Sequence, residues 1–116
     1  MAAGTRHYRD LLGGGWRNLP FEPFREGVEI CTLHAGEPQV ALLRYAPGAS
    51  VPRHLHPGLE TVIVLEGSRR DERGVYAAGS VCVNPEGSVH SVRSDGGCVV
   101  LIQWTLPVRL LDEGAS

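Results

Sequence analysis

Turn punctuation at short intervals leaves this chain little room for anything but strands. From the thirties onward the stretches AGEP, APG, HPG, EG, AAG, NPEG and SDGG recur, each with a Gly or Pro to supply a tight-turn backbone. The runs they bound are Glu29–His34, Gln39–Ala46, Ser50–His56, Thr61–Leu65, Gly74–Ala77, Ser80–Val83, Ser88–Arg93 and Cys98–Thr105. No segment sustains a helical apolar period over more than two turns. Short strands with turns at this spacing predict a single all-β domain, a sandwich or a barrel, over residues 28–106. Residues 1–27 read as an N-terminal arm of short helix or strand, making dimer or lid contacts. Within it His7–Leu12 has room for one helical turn before Gly13-Gly14-Gly15 stops it. Trp16 and Phe21 read as lid or interface residues. Residues 107–116 read as a C-terminal tail whose polar end, LLDEGAS, is expected to fray.

A chain of 116 residues can bury a core without help. Its formal net charge of -2, with every Lys+Arg position an Arg and no basic run, offers no electrostatic footprint for nucleic acid. No stretch approaches the ~18 apolar residues of a membrane span, and the N-terminus lacks the apolar core of a signal peptide. Cys31, Cys82 and Cys98 are odd in number and lack C-x-x-C spacing. They read as unpaired thiols in a reducing compartment, so the expected location is the cytoplasm. Cys98 is expected as a buried structural thiol, with a redox-sensing role as the alternative, and Cys82 as core or pocket wall.

The chemistry concentrates between Gly48 and Gly67. His54 and His56 stand in H-x-H spacing, on one face of a strand and about 7 Å apart along it. Pro57-Gly58 then turns the chain so that Glu60 enters the next strand facing the same space. Two imidazoles and a carboxylate converging on one point are a ligand set for Zn, Fe, Ni or Mn, and His90 is a fourth candidate. The competing reading of Glu60 is an exposed edge pair with Arg53, worth only about 0–1 kcal/mol. His7 and His34 read as loop or surface residues. Val62 and Val64 share the face of Glu60 and would line the pocket with aliphatic surface. Arg44, Tyr45, Gln103 and Trp104 compete for its mouth, and only one parity of each strand can face inward.

These residues resemble the motifs of the cupins. Gly48, His54, His56, Glu60 and Gly67 fill every position of that family's first motif in register, and Gly79, Pro85, Gly87 and His90 fill the second, with Ser94 where its final Asn stands. HLHPGLE, VLEG, DERGVY, NPEGSVH and SDGGC further resemble the ChrR-type cupins, over roughly Trp16 to Trp104. The resemblance implies a cupin double-stranded β-helix, a jelly-roll-like barrel. It implies one divalent transition metal per chain, Zn or Fe first and Ni or Mn next, on His54, His56, Glu60 and His90. Two roles follow from it: a small-molecule dioxygenase, or a metal-dependent sensory module of an oxidative-stress transcriptional response without catalysis. In the first, O2 and a small molecule are the partners and no catalytic side chain is assigned beyond metal-bound water, O2 or Glu60 as a base. The ChrR-type anti-sigma proteins carry a zinc-binding helical domain ahead of the cupin. Residues 1–27 are too short for it and hold no cysteine, so direct sigma-factor binding is not expected. Cupins of this size commonly dimerise, and a homodimer is expected. Gly48, Gly67, Gly79 and Gly87 are expected at positive φ.

Overall fold

The computed structural model describes residues 4–111. It contains a 3-10 turn at Gly15–Asn18 and ten strands: β1 Glu22–Arg25, β2 Val28–His34, β3 Gln39–Tyr45, β4 Ser50–Leu55, β5 Glu60–Asp71, β6 Gly74–Ala77, β7 Val81–Asn84, β8 Val89–Arg93, β9 Cys98–Trp104 and β10 Arg109–Leu110. The strand order is β1-β2-β3-β9-β5-β8-β4-β10, with β6 and β7 also paired to β5. The pairings are antiparallel. Among the described residues no helix is long and apolar enough to cross a membrane.

All eight predicted runs become strands, and the one that differs most is β5. Its sequence expectation ends at Leu65, because Glu66-Gly67 reads as a turn. Instead the strand continues for 12 residues. Its register slips between Val64 and Glu66; Glu66 and Gly67 still pair with β9, and from Ser68 onward the strand pairs with β6. One strand thereby serves both sheets, as a bulge and a Gly allow. Gly67 has φ 72, and a Cβ there would collide with the Gly97 carbonyl, so only Gly fits this crossing of β5 against β9. Gly48, Gly79 and Gly87 have positive φ as well.

Two apolar clusters hold the sheets. Between them lie Val28, Ile30, Leu43, Tyr45, Val51, Val62, Val64, Val92, Cys98, Val100, Ile102 and Trp104. On the outer face of β2, β3 and β9 lie Cys31, Leu33, Leu42 and Val99, covered by Trp16 with Leu19 and Phe21 packed against them. Trp16 is therefore a buried core residue of the chain's own fold, and not a lid. The reason is local: Ala41-Leu42-Leu43 and Val99-Val100-Leu101 are apolar on both faces, so the outer face needs a cover. The helical turn falls at Gly15–Asn18, after the predicted His7–Leu12. The tail also differs from expectation. Its β10 adds to the sheet edge, with Leu110 opposite His54. The sequence expectation of fraying begins at Leu110, but Leu110 is in β10 and Leu111 N–H donates to the Arg53 carbonyl; residues 112–116 lie outside the described residues.

Candidate metal centre

His54 is on β4 and faces His90 on β8, the two being direct cross-strand partners. His56 follows the end of β4 and is tied to the loop before β8: its N–H donates to the Ser88 carbonyl, and its own carbonyl accepts from Gly87 N–H. The HPG and NPEG stretches thus fasten each other. The three imidazoles meet with centroids 5.0, 4.7 and 4.8 Å apart and interplanar angles of 80°, 68° and 66°, a three-bladed propeller. All three are buried, with one nitrogen from each within 4.8 Å of the others.

What points inward is settled by what is bonded outward. His54 Nδ1 lies 2.8 Å from the Pro52 carbonyl. His56 Nδ1 lies 3.1 Å from the Ser88 carbonyl and 3.0 Å from Ser88 Oγ, whose own proton goes to the Pro85 carbonyl. His90 Nδ1 lies 3.0 Å from Asp71 Oδ2. Carbonyls and ionised carboxylates only accept, so each Nδ1 carries a proton and each neutral ring keeps its Nε2 lone pair for the interior. His56 Nε2 and His90 Nε2 are buried with no hydrogen-bond partner. Burial lowers the His54 pKa to about 4, against the pull of the Pro52 carbonyl. Burial also lowers that of His90, outweighing Asp71. Buried imidazoles that turn Nε2 lone pairs to one point could hold a metal ion.

Glu60 heads β5 at the rim of the trio, only 4% exposed. Its Oε1 accepts from Asn84 Nδ2 at 3.0 Å and sits 3.3 Å from His56 Nε2. The second contact lacks hydrogen-bond geometry, since His56 Nε2 has no partner. The convergent donor set is the three imidazoles, and Glu60 stands at its rim beside His56. Burial pushes the Glu60 carboxyl up, but His56, Arg69 and His54 together hold it below the usual range. Glu60 faces the interior and makes no pair with Arg53 among the described residues. His34 is exposed on the far side, near Arg6.

Three supporting residues were not singled out from sequence. Asp71 receives His90 Nδ1 on Oδ2, and the Arg73 N–H (2.9 Å) and Tyr76 hydroxyl (3.2 Å) on Oδ1. Burial pushes its carboxyl up, and these donors outweigh it and hold it low. Ser88 orients His56, and Asn84 orients Glu60. Asp71 and Tyr76 bracket the DERGVY motif, so the signal was present without its meaning. Ser94, fully buried, donates from Oγ to the Ser68 carbonyl (2.7 Å), and its backbone bonds Gly48 and Ala49. It braces the loops between β3–β4 and β8–β9 where the second motif has Asn.

Beside the trio opens a cavity of about 280 Å³, at the small end of ligand pockets. Tyr45 and Trp104 line it with His54, Glu60 and His90. Arg44 and Gln103, of the other parity, do not. Arg44 lies over the Phe21 ring, 4.1 Å from its centroid, and pairs with Glu29. Val62 and Val64 face inward, but they pack within the core and are not part of the cavity wall. Arg69, Pro107, Val108 and Leu110 do line it. Nothing in their sequence neighbourhood marks them.

An antiparallel two-sheet barrel with inward-facing histidines on adjoining strands is the arrangement of a cupin with a candidate metal site. Residues 15–107 match the ChrR Cupin-like domain, and the chain belongs to that family. It is 30% identical over 103 residues to the anti-sigma-E factor ChrR of Cereibacter sphaeroides, covering 86% of this chain and 48% of that protein. The chain thus spans about half the length of this curated relative. Among solved structures, the complex of Rhodobacter sphaeroides SigE with the anti-sigma ChrR superposes with a TM-score of 0.72 at 28% identity, over 82% of this chain and 54% of that one. An acetylacetone dioxygenase from Acinetobacter johnsonii superposes with a TM-score of 0.78 over 100% of this chain and 83% of that one. At 17% identity this is a likeness of fold.

Proposed function

We propose that this chain is a metal-binding cupin module in which His54, His56, His90 and Glu60 hold one divalent transition metal, Zn or Fe, and the adjoining cavity admits a small molecule to it. The observation that carries the reading is the set of inward Nε2 atoms, two of them buried without partners, on rings whose Nδ1 atoms are all committed to oxygen acceptors. Leaving such groups without a cation costs about 1–3 kcal/mol each. Bound there, the ion would supply Lewis acidity, or redox chemistry with O2 if it is iron. The protein's own contribution is to keep the imidazoles neutral and oriented, to keep Glu60 ionised, and to wall the site with apolar side chains that exclude water.

A second reading is a sensory module without turnover. It is favoured by the 30% identity to an anti-sigma factor, where the metal site would report an oxidant or ligand to a partner protein. The first experiment is elemental analysis of the purified protein beside His56→Ala. About one metal per chain in the wild type and a loss of most of it in the variant is expected. Unchanged occupancy in His56→Ala would sink the ligand assignment. With the metal known, repeated O2 uptake with a substrate favours the oxygenase. Stoichiometric release of the metal by peroxide favours the sensor.

A further inference from the structure

Arg69 is the only buried arginine among the described residues, 4% exposed, and it lines the cavity beside the three histidines. Arg17, Arg44, Arg70 and Arg93 pair with carboxylates in half-exposed salt bridges, whereas Arg69 pairs with none among the described residues. A guanidinium cannot shed its charge, and burying one without a counter-ion costs several kcal/mol.

The candidates for that counter-ion inside the barrel are few. The acidic groups that sense Arg69 are Glu60, Tyr45, Cys82 and Cys98. Burial pushes the Tyr45 hydroxyl and both thiols up, so all three stay neutral. Glu60 is ionised but already faces His56 and Asn84, and Asp71 is committed to His90. With a divalent ion on the trio, the enclosed groups, two carboxylates and one guanidinium, leave a single positive charge in excess, to which the half-buried Arg25 adds at the cavity wall. Arg69 meets the neutral Tyr45 hydroxyl but no counter-ion, and a second donor has no acceptor: Trp104 Nε1 is buried and unpartnered, on a ring that lines the same cavity. Beyond these groups and Arg25 the rest of the wall is largely apolar, with Val28, Leu43, Val51, Val92 and Ile102.

We propose that the cavity takes a small organic monocarboxylate, its carboxylate on Arg69 with Trp104 as a further donor, and its apolar body against the valine, leucine and isoleucine wall. The planar fork of a guanidinium matches the two oxygens of a carboxylate. A single negative charge cancels the excess, and a cavity of about 280 Å³ limits the body to a few carbons. This names the ligand class of the proposed metal site, and it rests on that reading only for the excess charge.

The test is calorimetric titration of the Zn-loaded and metal-free protein with hexanoate and with its neutral isostere hexanamide. Hexanoate is expected to bind the Zn-loaded protein at least tenfold more tightly than hexanamide. In Arg69→Gln that preference should vanish while zinc content is unchanged. Equal binding of the two probes, or a preference that survives Arg69→Gln, overturns the proposal. A wild type that fails to retain zinc counts against the metal reading alone, because the probe preference in the metal-free protein still reports on Arg69. Should Arg69→Gln not fold by circular dichroism, the wild-type comparison of the two probes decides.

Discussion

Asp71 shows how much of the centre lies outside the ligands themselves. It accepts the His90 Nδ1 proton at 3.0 Å while Arg73 N–H and Tyr76 hold its other oxygen. It therefore fixes both the tautomer and the aim of His90. Asp71→Asn removes the charge and offers a donor where an acceptor is needed. Metal affinity should fall about 10–100-fold, measured by chelator competition, with the circular dichroism spectrum unchanged. An unchanged affinity would mean that His90 is aimed by packing alone. The convergence of the histidines was legible because part of it is local: H-x-H sets two rings on one face, and Pro57-Gly58 turns the chain so that Glu60 reaches the rim of the trio. Asp71 was not, because its role arises only when the β5–β6 hairpin carries it to a histidine on β8, 19 positions away in the chain.

At the scale of elements, the arm and the long strand are where expectation and structure part. Strand positions followed from turn chemistry, but the second role of Gly67 did not, since a Gly that ends a strand and a Gly that bends one between sheets look alike in sequence. Nor did the place of Trp16. The two-faced apolarity of β3 and β9 could have announced a missing cover, though not which aromatic would supply it. Trp16→Ala should destabilise the fold by about 3–5 kcal/mol, read by urea denaturation, while metal per chain is unaltered. A loss below ~1 kcal/mol would mean that the arm does not cover this face in solution.

For the whole molecule, an ion held by the proposed ligands would join β4, β5 and β8 across the barrel, so ion binding and folding would be coupled. At free metal near 100 times Kd the gain is about 2.7 kcal/mol, roughly 10 °C in the midpoint for a domain of this size. Chelation should lower the melting temperature by that order, and readdition should restore it. The metal-free protein should also be acid-sensitive. His54 has its pKa lowered from 6.5 to about 4 by burial, so the unfolded chain binds the proton more readily than the folded one. Stability is then full above about 6.5 and declines as the pH falls towards 4. A flat denaturation midpoint across that window would contradict the buried neutral imidazole.

By itself the sequence determined the all-β class, the places of eight of the ten strands and the identity of the convergent histidines, because turn residues, period-2 alternation and ligand spacing act over a few neighbouring positions. Only the tertiary structure decided which residues orient those histidines, which strand is shared between sheets, what covers the outer face, and that an unpaired arginine lies beside the site. Each of these depends on contacts between segments far apart in the chain, and on burial, which no local pattern encodes.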